Sequence, residues 1–262
     1  MTDAEKEELR AKVSEVTAQF GPWHQALLDY SPDVLRRYHE LMVAMGELEG
    51  VDPRVRHLIW VAVDAVATHL YPRGIGVHAL KAVAHGATIE QVFEALEIAS
   101  LCIGRSFSVG LRVLDDILEQ AGMPPLAPAD STLVSPTFTP SAETGWSEWM
   151  HRLSTLAPDY AQRLTDFSMA PRGPSAIGAR DRAIIAFAVC ACPAVLDQSG
   201  MNFYGAAALD NGATKKDLFS ALVLASAIGI HSLSVGAPAV VDKLVEEGRL
   251  DALPSNSTKP AS

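Results

Sequence analysis

Four histidines, His57, His69, His78 and His85, fall in one short stretch of the chain together with Asp64, Tyr71, Arg73 and Lys81. Imidazole gains and loses a proton near neutral pH, so a group of them is suited to general acid/base work. His78, Ala82 and His85 are spaced i, i+4 and i+7, which puts both rings on one stripe of a helix. His57, Asp64 and Tyr71 are spaced i, i+7 and i+14 on the preceding segment. Gly74 and Ala82 keep the first stripe open. If the two stripes face each other, imidazoles and a carboxylate converge on a hollow with apolar walls. An unpaired carboxylate such as Asp64 inside an apolar run is costly and implies a partner. No H-x-x-x-H, H-E-x-x-H or C-x-x-C spacing occurs, nor a G-x-S-x-G elbow or a glycine-rich phosphate loop, so neither a metal nor an organic cofactor is expected. His24, His39 and His151 stand alone and read as packing or surface residues.

The same stretch is singled out when the sequence is compared with itself. Matches recur at a constant offset of 126: Trp23 with Trp149, Pro32-Asp33 with Pro158-Asp159, Arg54-x-Arg56 with Arg180-x-Arg182, and Gly86-Ala87-Thr88 with Gly212-Ala213-Thr214. Phe93-x-Ala95-Leu96 and Ser106-x-Ser108-Val109-Gly110 also recur. So many pairs in one ungapped register indicate a duplication. At that offset the four histidines face Ala183, Val195, Tyr204 and Asn211, while Asp64, Arg73 and Lys81 face Cys190, Ser199 and Ala207. Packing that survives in both copies does not need these side chains. The first copy therefore carries the candidate chemistry, and Tyr204 is expected to line the site from the second.

The elements that must hold these residues are helices. Alanine and leucine dominate the apolar set and alternating β-branched runs are nearly absent, so the fold class is all-α, two tandem helical repeats forming a bundle. The division expected is an N-terminal helix over 1–20, with Thr2 and Glu5 as a capping box, a first repeat over 21–121, a linker over 122–145, a second repeat over 146–252 and a disordered tail over 253–262. Ser31-Pro32 and Asp52-Pro53 each place a capping residue before a proline suited to the first helical position. A buried helix is expected from Arg54 to about Leu70, a shorter one from Gly74 to Gly86, and another from Thr88, capped with Gln91, to about Gly104.

The chain has 262 residues, 48% hydrophobic and 20% charged, with a net charge of -10. It lacks the basic footprint that nucleic acid requires, and its apolar runs are broken by charge, so neither nucleic acid nor membrane is expected as a partner. The start of the chain is polar and acidic, unlike a signal peptide, which gives a cytoplasmic expectation. Cys102, Cys190 and Cys192 read as reduced thiols, and Cys190 and Cys192 as buried small hydrophobes.

The pattern His78-x3-Ala82-x3-Gly86-Ala87-Thr88, followed by Phe93-Glu94-Ala95-Leu96, resembles the carboxymuconolactone decarboxylase and alkyl hydroperoxidase D-like superfamily over about 54–115 and, more weakly, 180–240. The resemblance implies a small helical unit that assembles into trimers or hexamers, so a fused pair would build a homotrimer of chains. The peroxidase branch places cysteines seven and four residues before the histidine; here those positions hold Tyr71 and Gly74, which excludes the thiol mechanism. The decarboxylase branch is cofactor-free and uses the histidine that His78 matches, and many relatives carry glutamate where this chain has His57. The implied function is a carbon–carbon lyase acting on a small carboxylated or lactone-type metabolite. In it His78 is the principal acid/base, His57 or His69 assists, and Arg73 or Lys81 holds an anionic group; Asp64, Tyr71, His85 and Tyr204 complete the lining. Isomerisation, lactone hydrolysis and retro-aldol cleavage use the same groups, and a non-catalytic small-molecule scaffold or a metal-dependent enzyme are the competing readings.

Overall fold

The computed structural model describes residues 1–17, 20–126, 148–168 and 176–250. Among the described residues there are thirteen α-helices and no strand. Most of the linker expected at 122–145 and all of the tail at 253–262 lie outside them.

Capping chemistry starts many of these helices where the sequence signals them. α1 (Asp3–Thr17) opens with the reciprocal Thr2–Glu5 bonds. α2 (Pro22–Tyr30) and α3 (Pro32–Gly46) begin on prolines, although the Ser31 side chain makes no capping bond and only the fixed φ of Pro32 sets the start. α4 (Pro53–Ala65) is capped by Asp52, whose carboxylate accepts from the Val55 amide at 3.0 Å.

α4 ends at Ala65, five residues before the expected boundary at Leu70. The His69 and Leu70 amides turn back to the Val66 carbonyl, and Leu70 takes a left-handed φ of 45°. This tight reversal delivers the chain to α5 (Pro72–Ala84), which begins on Pro72 rather than Gly74. Gly86, at φ 91°, closes α5, and the Ala87 amide returns to the Ala82 carbonyl. A Thr88–Gln91 capping box then opens α6 (Ile89–Ala99), and a short 3-10 turn leads into α7 (Gly104–Gln120).

The later helices are α8 (Glu148–Leu156), α9 (Pro158–Ser168), α10 (Ala179–Ala191), α11 (Gln198–Asp210), α12 (Lys215–Ser226) and α13 (His231–Glu246). α10, α11 and α12 begin 126 residues after α4, α5 and α6, the offset found in the sequence. Leu196 and Gly212 repeat the positive φ of Leu70 and Gly86.

Two compact units result, and they cut across the sequence repeats. One joins Met1–Leu48 to the segment beginning at Gly229; the other is Glu49–Ile228. In the first, α1, α2, α3 and α13 close on Leu9, Val13, Trp23, Leu27, Leu35 and Tyr38, with Ile230 and Leu233 packed against them. In the second, α4 and α10 form the centre: each packs on its following helix, and they pack on each other. Leu58, Ile59, Val61 and Val63 of α4 and Ile184, Ile185 and Val189 of α10 are fully buried. Burying each such side chain stabilises the fold by about 1.5–3 kcal/mol. α13 packs on α2 while its counterpart α7 packs on α8, so the last helix of each repeat covers the opening helices of the other.

Ionic contacts fasten the α4–α10 layer. Arg54 pairs with Asp181 at 2.6 Å, and buried Glu94 of α6 accepts from the Ile177 amide at 2.7 Å and from the Arg182 guanidinium. The run Lys215–Glu246 is long and apolar enough to span a bilayer by length and composition. Its first half, α12, packs against α4 and α10 and buries Ala221, Leu224 and Ala225.

Candidate functional site

α4 and α5 run antiparallel and in close contact, because Ala82, wholly buried on α5, lets the helices approach. That approach brings together His57 from the second turn of α4 with His78 and His85 of the α5 stripe. His57 Nδ1 lies 3.2 Å from His78 Nδ1, with the rings 5.4 Å apart and inclined by 22°. The exposed His85 ring stacks on His57 at 5.5 Å and 15°. A fourth ring closes the group: Trp60, one turn after His57, sits 4.6 Å from His78 and 5.3 Å from His57. Its indole N–H donates to the Leu224 carbonyl of α12 at 3.2 Å.

Electrostatics set the protonation of this pair. Burial, reinforced by the charges of Lys81, His85 and Arg56, holds His57 down to about 4. His57 is therefore a neutral imidazole near pH 7. Two facing ring nitrogens at 3.2 Å need one N–H and one lone pair between them, so a single proton is shared across the contact. Lys81 is half-buried on the same face of α5, and desolvation lowers its ammonium below the ordinary lysine range.

His69 does not join this group. From His57 to Asp64 α4 rises by about 10 Å, and the early end of the helix at Ala65 folds His69 back over that far end. There His69 Nε2 lies 4.0 Å from Asp64 Oδ1, and its ring is 6.3 Å from Tyr71. Asp64 is 1% exposed, and burial pushes its carboxyl up to about 8, so it is a neutral acid at physiological pH. Its carboxyl rests on α5 at Gly74, where a Cβ would lie 2.0 Å from Oδ2. Only glycine admits that contact. Burial also lowers the His69 pKa.

The remaining candidates separate as clearly. Arg73 is exposed in the first turn of α5, away from the imidazole pair. Tyr204 is buried within the second repeat: its ring meets Phe203 edge-on at 5.2 Å, and desolvation, with the charges of Cys190 and Asp197, raises its phenol well above the ordinary value. Its environment is the counterpart layer of α10 and α11, not the lining assigned to it from sequence. Cys190 occupies there the place of Asp64, pressed against Gly200 as Asp64 is against Gly74, and its desolvated thiol is inert packing.

Trp60 is the site residue that motif reading passed over. The signal was present, since its counterpart at the 126 offset is Ala186. His57 and His78 also supply two nitrogens that one metal ion could accept, but among the described residues of Glu49–Ile228 no third His, Cys, Asp or Glu joins them within ligating range. A protein zinc site takes at least three.

The chain is similar to known proteins in part of its sequence and in its fold. Residues 32–116 match the carboxymuconolactone decarboxylase family. A crystal structure from Burkholderia xenovorans LB400, provisionally named a gamma-carboxymuconolactone decarboxylase subunit, superposes with a TM-score of 0.78 at 27% identity, covering 93% of this chain and 98% of that one. No curated protein matches the sequence.

Proposed function

We propose, from the premise that the chain has the carboxymuconolactone decarboxylase-like fold and that its segment 32–116 belongs to that superfamily, that it is a cofactor-independent acid/base enzyme acting on a small carboxylated or lactone-type metabolite. The reading is carried by the 3.2 Å contact between His57 and His78. In this reading the neutral His57 accepts at Nδ1 from the Nδ1–H of His78, which fixes that ring's tautomer. Nε2 of His78 then takes up or delivers the working proton.

For decarboxylation, the bond between the substrate carbon and its carboxylate breaks, carbon dioxide leaves, and the electron pair passes into the conjugated carbonyl as an enolate. Protonated His78 returns a proton to that carbon. Lys81, on the same face of α5, offsets the charge of the substrate carboxylate. Water exclusion by Trp60 and the apolar wall of α4 favours loss of the carboxylate over its solvated state.

The test is a screen of unsaturated lactone acids and keto acids for carbon dioxide release by the whole protein. Turnover that disappears in His78→Gln while helical circular dichroism is unchanged supports the reading; turnover that survives overturns it. Three chains are proposed to form the working assembly, the number that the family resemblance implies, and the exposed stripe Val109, Val113 and Ile117 on α7 offers an apolar face for contact between copies. Size-exclusion chromatography with light scattering reads the mass. The free cysteines fit the reducing cytoplasm as its compartment.

A further inference from the structure

Trp60 is held in place by the other repeat. The Nε1–H bond to the Leu224 carbonyl pins the indole from α12, and the ring itself is only half-buried. Tryptophan loses two side-chain rotations on being fixed, and a hydrogen bond reaching across the bundle is what settles both of them here. The fixed ring lies 4.6 Å from His78 and 5.3 Å from His57, inclined to them by 35° and 48°. His85 continues the set by stacking on His57. Trp60, His57 and His85 thus form with His78 a group of four flat side chains, and Lys81 adds a cation beside them. In the second repeat the same positions hold Ala186, Ala183, Tyr204, Asn211 and Ala207, so the flat lining and the cation are lost there apart from one buried tyrosine.

An indole face next to an acid/base imidazole discriminates by shape. A flat, conjugated molecule stacks on it in the offset manner that aromatic quadrupoles favour, which contributes beyond the area buried. A puckered saturated ring of the same size touches it at a few atoms. We infer that Trp60 is the specificity-determining residue of the site and that it selects flat, conjugated carboxylates over saturated ones, with Leu224 of the second repeat as the anchor that keeps the indole in register. The inference rests on the acid/base reading for the location of the site, and it names the substrate class.

Conjugation is also what the chemistry needs. The electron pair left by a departing carboxylate must enter a delocalised system, and a flat lining holds that system coplanar with the breaking bond's acceptor orbital. Selection by Trp60 and reactivity at His78 therefore favour the same molecules.

The experiment is titration calorimetry of the full chain at neutral pH with two matched probes, benzoate and cyclohexanecarboxylate. Wild type is expected to bind benzoate roughly 2- to 10-fold more tightly, the range that aromatic pairing supplies. Trp60→Phe, which keeps an aromatic face but loses the Leu224 bond, should keep only part of that preference. Trp60→Leu, which keeps bulk without an aromatic face, and Trp60→Ala should bind the two probes equally, with helical circular dichroism checked for each. Equal binding of both probes by wild type, binding of neither, or a preference that persists in Trp60→Leu would overturn the inference. The readout involves no turnover, so it is separate from the His78→Gln test: loss of the benzoate preference leaves the proton chemistry standing, and turnover that survives His78→Gln leaves the stacking result standing.

Discussion

His57 and His78 meet through the same ring nitrogen, Nδ1 to Nδ1 at 3.2 Å, so exactly one proton can occupy the contact, and burial keeps His57 from adding a second. Removing either ring breaks the relay. His78→Gln is expected to reduce kcat/KM by about 10²- to 10⁴-fold, the usual contribution of a positioned acid/base. His57→Gln should lower it less, by altering the tautomer of His78 rather than deleting the proton carrier. Carbon dioxide release across a pH series measures both.

Stability should depend on pH through two buried groups of opposite sign. His57 titrates at about 4 in the folded chain against an ordinary 6.5, so unfolding takes up a proton in that window and the fold weakens as pH falls through it. Asp64 titrates at about 8 against 3.8, so the folded chain holds a proton that the unfolded chain releases, and the fold weakens as pH rises from about 4 to about 8. Below 6.5 the two oppose, with His69 adding to the His57 side. Between 6.5 and 8, of these two groups only Asp64 changes its charge. Wild type should therefore lose stability to urea from pH 6.5 to 8, and Asp64→Asn should abolish that decline and expose the acid limb of His57, on the order of 3 kcal/mol.

Gly74→Ala should destabilise the α4–α5 pair, because the new Cβ falls on the Asp64 carboxyl. Overpacking of this kind costs about 1–3 kcal/mol. In the double variant Gly74→Ala with Asp64→Ala the loss should be smaller than the sum of the single losses, and a thermodynamic cycle from denaturant melts reads the coupling.

Glu94→Ala should be more damaging. It removes a carboxylate that accepts from the Arg182 guanidinium and from the Ile177 amide in a buried setting. Breaking a buried pair from one side costs about 3–5 kcal/mol. Thermal melts should show the drop, and Glu94→Gln, which keeps an acceptor for the Ile177 amide, should recover part of it.

Much of this molecule was legible in the residues, and the reason differs by level. Helix starts were readable because caps are local: Asp52 bonding Val55, or Thr88 with Gln91, involves residues three apart, and the chain cannot hide such a signal. The helix end at Ala65 was not readable. Val66 to Leu70 carry no Gly or Pro, and the helix stops where Val66 turns to a ψ of 139°, ahead of the reversal through left-handed Leu70. That boundary decides what His69 meets: a helix continued to Leu70 would have carried it about 18 Å beyond His57 and about 120° round the axis, whereas the reversal sets it beside Asp64.

By itself the sequence determined the all-α class, the 126-residue register, and the stripes that carry His78 with His85 and His57 with Asp64, because spacing on a helix fixes which side chains share a face. Only tertiary structure decided which end of that face each group occupies and what stands beside it. It set His69 on Asp64, enclosed Tyr204 in its own layer, and brought the Leu224 carbonyl to the Trp60 indole across more than a hundred residues of chain. Periodicity describes one helix at a time, whereas these contacts depend on how closely two helices approach, and that distance is set by small residues such as Gly74 and Ala82 meeting particular neighbours.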